Sequence, residues 1–120
     1  MLEDGSPNGP LQAAISNAVV RTISEYTGRG PTKARTTITH GWVFVTLEDT
    51  LTKGERKLAE SGRADSVVKS RRDYQDAMEA DLRQRVEEAT GQRVVAFMSA
   101  NHVEPDLALE AFALAPTAGD

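Results

Sequence analysis

The sequence predicts an α+β domain, a two-layer sandwich in which helices pack on an antiparallel four-stranded sheet. Three observations predict this class: apolar residues at helical spacing in two long stretches, four runs of alternating or β-branched residues, and turn signals that pair the strands consecutively. The predicted element order is α-β-β-α-α-β-β. We expect one domain over residues 10–115, a disordered tail over 1–9 and a loose tail over 116–120.

The first helix is predicted over residues 10–27 because apolar residues recur there three and four positions apart. Gly28 is a natural stop, since glycine adopts the left-handed conformation without strain. A short second helix is expected to follow Thr52 and to run through about Glu60. Thr52 and Glu55 fit the capping-box pattern, in which each side chain binds the other residue's backbone N–H.

The longest helix is predicted over residues 64–90, and Gly91 ends it. One face of this helix carries an apolar stripe. The face opposite the stripe is densely charged, as expected of a helix face in contact with solvent. The Asp and Glu residues on that face are therefore expected to contact solvent and not to take part in catalysis or binding. The apolar stripe is made of Val67, Arg71, Tyr74, Met78, Leu82, Val86 and Ala89.

Two antiparallel hairpins account for the strands. His40 and Gly41 form the short turn of the first hairpin, and the polar stretch 100–106 forms the turn of the second. Two such hairpins can join into one antiparallel sheet. The predicted strands span 34–39, 42–47, 93–99 and 107–114.

The second strand is apolar on both faces. Val43, Val45 and Leu47 are expected to face the helices, so Trp42 and Phe44 point to the other side of the sheet. An apolar patch there usually indicates association, and a symmetric homodimer through this face is expected. The pattern leaves open the alternative that the first helix covers the same face.

Composition limits the function. A net charge of −4 counts against general nucleic-acid binding, which needs an excess or a patch of cations. The absence of cysteine excludes disulfides, thiolate metal sites and a cysteine nucleophile. No apolar run approaches the roughly 20 residues that span a bilayer, and the N-terminus lacks signal-peptide features, so a cytoplasmic location is expected.

The segment Gly28–Arg35 is the candidate ligand site, because glycine, proline and clustered positive charge meet there. Glycines allow close approach of a ligand to the backbone, and arginine and lysine hold anions. The spacing matches neither a P-loop nor a dinucleotide-binding fingerprint. The alternative, a helix stop followed by a turn with solvated charges, has the greater weight on pattern alone. The candidate anion-binding residues are Gly28, Arg29, Gly30, Thr32, Lys33 and Arg35.

His102 and its neighbour Asn101 are secondary candidates. Glu104 and Asp106 follow closely, so this turn could bind a metal or shuttle a proton, although ordinary Asx and proline turn chemistry is more common. His40, the only other histidine, has no partner at helical ligand spacing, and no metal site is predicted.

Arg71 is a further secondary candidate because it lies on the apolar stripe of the longest helix. Its side chain is expected to pass the core edge into solvent or, less commonly, to reach toward the sheet and a ligand. No Ser/His/Asp arrangement can be argued from the sequence, so no catalytic residue and no cofactor is predicted.

Four segments resemble the MpsC-like family of small bacterial domains, and the resemblance covers about residues 11–115. Its most specific part is Gly-Arg-Gly-Pro-Thr-Lys-Ala at 28–34. The family takes its name from a sodium-translocating, membrane-potential-generating system whose membrane subunits are similar to inorganic-carbon uptake complexes. The resemblance implies an accessory or regulatory role beside a membrane system, with a membrane protein as partner, and supplies no catalytic residues. The four segments are 11–17, 25–34, 49–55 and 94–102.

Three functional interpretations follow. The favoured one is a soluble, non-enzymatic regulatory module, peripheral to a membrane complex, that binds an anion or a partner through Gly28–Arg35. The second is an enzyme that positions an anionic substrate with Arg29, Lys33 and Arg35 and uses His102 as acid or base. The third, nucleic-acid binding, is disfavoured by the acidic balance.

Overall fold

The computed structural model describes residues 9–116 and confirms the predicted fold class. Three helices and four strands follow one another in the predicted order. The predicted tails lie outside the described residues, apart from Gly9, which begins the first helix, and Pro116. The elements are α1 (Gly9–Thr27), β1 (Lys33–Thr39), β2 (Trp42–Glu48), α2 (Lys53–Glu60), α3 (Ala64–Thr90), β3 (Val94–His102) and β4 (Leu107–Leu114).

Local signals explain where these elements begin and end. The capping box at α2 is present: Thr52 Oγ1 accepts from Glu55 N at 3.2 Å, and Glu55 Oε1 accepts from Thr52 N at 2.7 Å. The turn between β1 and β2 places His40 and Gly41 at φ 48° and 80°. Positive φ at both central residues is typical of the tight hairpin turns whose twist matches that of the strands.

The sheet has the order β1-β2-β4-β3, and every pair is antiparallel. The two hairpins are joined through β2 and β4. One row across the sheet consists of Thr36, Val45, Glu110 and Ser99, which lie opposite one another on successive strands. Successive rows alternate between the two faces of the sheet.

Strand β3 is longer than predicted, because it runs to His102 instead of ending at Ser99. The ladder continues where the sequence becomes polar: Asn101 pairs with Ala108, and His102 pairs with Leu107. The interpretation of residues 100–106 as one turn was therefore wrong for its first three residues.

The core lies between one face of the sheet and helices α1 and α3. Val43, Val45 and Leu47 face the helices as predicted, with at most 1% of each residue exposed. The alternative in which α1 covers the opposite face is wrong, because Ile15 and Val19 of α1 belong to the same buried cluster. That cluster comprises Ile15, Val19, Ile23, Val43, Val45, Leu47, Met78, Leu82, Val86, Val94, Ala108 and Phe112.

We expect Leu82→Ala to lower the free energy of unfolding by about 2–5 kcal/mol, because it removes buried methyl groups and leaves a cavity. Leu82 is fully buried, whereas Leu58 on α2 is 43% exposed. Leu58→Ala is the matched control and should cost less than about 1 kcal/mol. Urea unfolding measures both variants, and equal losses would contradict this assignment of the core.

Candidate functional site

The connection from β2 to α2, residues 49–52, is held by the carboxylate of Asp106. Asp106 Oδ1 accepts hydrogen bonds from Thr50 N at 3.0 Å and from Thr50 Oγ1 at 2.9 Å, and Oδ2 accepts from Leu51 N at 3.0 Å. Asp106 lies in the turn between β3 and β4. One carboxylate therefore ties the second hairpin to the start of α2.

Arg29, from the predicted anion-binding segment, binds the same connection. Its Nη2 lies 2.8 Å from Asp49 Oδ2, and its Nη1 donates to the carbonyls of Leu51, at 3.2 Å, and of Asp49. Arg56 also pairs with Asp49, and lies 3.2 Å from Asp106. Within the described chain, the guanidinium of Arg29 thus holds a loop in place.

The carboxyl of Asp49 reflects these contacts. Its pKa is lowered from the ordinary value, first because the carboxylate accepts a hydrogen bond from Arg29. Burial acts in the opposite direction and raises the pKa. The Thr32 side chain and the charges of Arg29 and Arg56 lower the pKa further. Asp49 also has a φ of 59°, which is uncommon for a residue other than glycine. The sequence presents Asp49 only as the end of a strand, and gives no signal for its pairing with Arg29.

The other residues of the predicted anion-binding segment divide into packed and exposed ones. Gly30 lies against α1, where an added Cβ would stand 3.1 Å from Val20 Cγ1. Gly28, Thr32, Lys33 and Arg35 are exposed. Anion binding by this segment stays a prediction, with Lys33 and Arg35 as its accessible cations.

Arg71 is turned into the protein, so the expectation that it passes into solvent was wrong. Only 4% of the residue is exposed. Its Nε donates to Glu55 Oε2 at 2.9 Å, and its Nη2 donates to the Thr50 carbonyl at 2.6 Å and to Glu55 Oε1. Glu55 thus caps α2 and also forms an ion pair with Arg71. The ion pair forms only when the tertiary fold brings α2 and α3 together.

Asn101 and His102 line a surface groove of about 480 Å³ between the β3–β4 turn and the helices α2 and α3. His102 Nδ1 lies 2.9 Å from the Pro105 carbonyl. A carbonyl only accepts, so Nδ1 carries the proton, and Nε2 is the nitrogen available for other contacts. Within residues 9–116, no group of three His, Asp or Glu side chains is arranged to hold a metal ion.

The structure keeps His102 apart from Lys33, one of the cations of the predicted anion-binding segment. Lys33, Glu48, Leu107 and His102 form one row across the sheet, so Lys33 and His102 lie on opposite edge strands. Three strand spacings separate them, about 14 Å. A general acid or base must act within hydrogen-bond distance of the substrate or through one water. The separation between His102 and Lys33 is too large for His102 to act in this way on a group bound to Lys33.

The outer face of the sheet, opposite α1 and α3, carries apolar side chains that the described chain leaves partly or largely exposed. On this face the rings of Trp42 and Phe44 stack on each other, with ring centroids 5.5 Å apart and ring planes 4° from parallel. Met98, Leu107 and Leu109 extend the patch and are 52%, 43% and 39% exposed. A contiguous patch of this kind usually marks an interaction site.

Comparison with known proteins supports the resemblance noted from the sequence. The model of the family described as "Na+-translocating membrane potential-generating system (MpsC)" matches residues 8–116. The chain therefore belongs to the MpsC family. No curated protein and no solved structure matched the chain. Across the residues that the structure describes, no helix combines the length and the apolar character needed to cross a membrane.

We expect Arg29→Ala to destabilise the protein by about 1–2 kcal/mol, because it leaves the Leu51 and Asp49 carbonyls without their donor. Arg35→Ala, an exposed arginine of the same segment, is the matched control and should stay within about 0.5 kcal/mol. Urea unfolding at neutral pH measures both. If Arg29→Ala is as stable as the control, the guanidinium does not hold the loop.

The difference between the parent protein and Arg29→Ala should shrink in acid. A lowered pKa means that the Asp49 pair stabilises the fold above the ordinary value of 3.8, and that this contribution disappears as the pH falls below it. Unfolding curves between neutral pH and pH 3 measure the effect. A difference that stays constant over this range would contradict the pairing.

Proposed function

We propose that this MpsC-family chain is a non-catalytic accessory module of the Na+-translocating system named in the family's description, and that it works by binding proteins. The observation that supports this best is the outer sheet face, where Met98, Leu107 and Leu109 are exposed beside the half-buried Trp42 and Phe44, while α1 and α3 pack on the other side. Exposed apolar area of this kind stabilises an association when it is removed from water.

A second copy of the chain is the occupant that this face fits. The bulky Trp42 and Phe44 lie on β2, while the neighbouring positions on β4 are the small Ala113 and Ala111. A two-fold axis would set this face of one copy against the same face of the other, which gives a self-complementary surface.

The size of the face is consistent with a modest dimer interface. Four strands at about 4.8 Å spacing and about eight residues at 3.3 Å rise make a face of about 500 Å². Two such faces together bury about 1,000 Å², near the lower limit for a specific protein interface. We therefore expect a homodimer whose affinity depends on a few central side chains.

The segment Gly28–Arg35 is the second binding region of the proposal, and its cations Lys33 and Arg35 lie at the β1 edge of the same outer face as Leu107 and Leu109. Lys33 and Arg35 are exposed on edge strand β1 and form no ion pair with residues that the structure describes. Two adjacent accessible cations suit a small anion or an acidic surface of a membrane-protein partner. In this proposal Arg29 keeps the segment in shape while Lys33 and Arg35 make the contacts.

We expect Leu109→Glu to convert the dimer into a monomer, because it places a charge in the centre of the outer face. Leu58→Glu, at an equally exposed leucine on α2, is the matched control and should leave the dimer intact. Sedimentation equilibrium measures the mass against 13.0 kDa for one chain. A parent protein that stays monomeric at all concentrations would overturn the homodimer, as would a dimer that survives Leu109→Glu.

Binding at the segment is tested with phosphate and bicarbonate as probes in thermal unfolding. A hundredfold excess of a bound anion over its Kd stabilises the native state by about 2.7 kcal/mol. The double variant Lys33→Ala/Arg35→Ala should lose this effect, while Lys53→Ala/Lys57→Ala on α2 should keep it. If neither anion raises the melting temperature, or the effect persists in the first variant, the segment is not the anion site.

A further inference from the structure

A carboxyl group lies inside the core beside a small polar cavity. Glu110, on β4, is 2% exposed and faces the helices. It lines a cavity of about 10 Å³, next to Arg71 and Gln75 of α3 and Asn101 of β3. A cavity of this size has room for about one water molecule. Within the described chain, Glu110 Oε1 and Gln75 Nε2 have no hydrogen-bond partner.

The charges around this cavity do not balance if Glu110 is ionised. Among the described residues that line the cavity, Arg71 carries the one positive charge, and both of its contacts with a carboxylate go to Glu55. A second ionised carboxylate would therefore be buried without a counter-ion, which is strongly unfavourable. With a proton on Glu110, the group of Arg71, Glu55 and Glu110 is electrically neutral.

We propose that Glu110 is a proton-binding site in the core, and that release of its proton acts through Arg71 on the connection between β2 and α2. In the protonated state, Arg71 stays on Glu55 and on the Thr50 carbonyl. In the ionised state, Glu110 competes for the guanidinium and weakens these contacts. The cavity admits one water, which can join Gln75 Nε2 to Glu110 Oε1.

Among the described residues, the groups that face Glu110 contain no other charge that would replace Arg71. The neighbouring strands present Val45 and Leu47 from β2, and Ser99 and Asn101 from β3. Helix α1 presents Ile23, the 49–52 connection presents Thr50, and α3 presents Gln75 and Met78 beside Arg71. Burial raises the pKa of Glu110 from 4.5 to about 7, while the nearby Ser99 hydroxyl and the charge of Arg71 oppose the rise.

Asn101 lies beside both the buried site and the molecular surface. It lines both the cavity beside Glu110 and the surface groove that contains His102. A proton that leaves Glu110 can therefore reach water by way of the groove. The site is separate from the outer sheet face, so its failure and that of the proposed dimer are distinguishable.

The direct test is ¹³C NMR of the Glu110 side-chain carboxyl in the full chain, followed from pH 4 to 9. We expect the carboxyl to titrate near pH 7, about 2.5 units above the ordinary glutamate value of 4.5. A midpoint close to 4.5 would overturn the proposal. This measurement needs no variant, so it holds even if substitutions at Glu110 prevent folding.

The coupling through Arg71 is tested by amide hydrogen exchange at Leu51, Thr52 and Glu55, corrected for intrinsic rates. Protection in the parent protein should fall tenfold or more between pH 5.5 and pH 8. It should stay constant in Glu110→Gln, which remains neutral. Glu104→Gln, at an exposed glutamate, is the matched control and should behave like the parent. An equal loss of protection in Glu110→Gln would overturn the coupling.

The sign of the stability change is fixed by the raised pKa. Between pH 4.5 and about 7 the unfolded chain has lost the proton that the folded chain keeps, so folded-state stability falls as the pH rises through this range. Urea midpoints of the parent should therefore fall relative to Glu110→Gln over that interval. A constant difference would contradict the proton site.

Discussion

Strand β2 is apolar on both faces, and the helices of this fold cover only one of them. Val43, Val45 and Leu47 lie against α1 and α3, while Trp42 and Phe44 point away. Because successive side chains of a strand alternate, the chain cannot bury both sets with a single helical layer. This constraint gives the protein a hydrophobic core on one side and leaves apolar side chains on the other.

A polar network secures the chain where it leaves β2 for the helical layer. Asp106 binds the backbone of Thr50 and Leu51, Arg29 binds Asp49, and Arg71 binds Glu55. These contacts bring together segments far apart in the sequence. Hydrogen bonds to charged groups contribute more than neutral ones. Among the described residues that line the cavity, the network also supplies Glu110 with the charged neighbour Arg71, through which we propose that a proton in the core acts on this connection.

The regular elements were predictable because burial repeats at fixed intervals. The stripe on α3, the alternation in β2 and the Thr52–Glu55 capping box all depend on neighbours in sequence. The alternation in β4 even places Glu110 with Phe112 on the core face, although a carboxylate there is unexpected from composition.

The remaining features depend on residues that only the tertiary fold brings together. The sequence could not show that Arg71 turns inward, because Glu55 and Thr50 reach it across the fold. Nor could it show that Asp49 binds Arg29, or that Asn101 continues the β3 ladder. The spacing of polar residues in the sequence does not show which distant residue each of them contacts.

The central claim is that a second copy covers the outer sheet face, and Trp42 is the residue that reports on it. It is the only tryptophan in the chain and lies on that face. Its fluorescence emission, followed through a dilution series, measures its exposure directly. The account predicts a shift to longer wavelength as the dimer separates and water reaches the indole. An emission maximum typical of exposed tryptophan and unchanged at every concentration would contradict it.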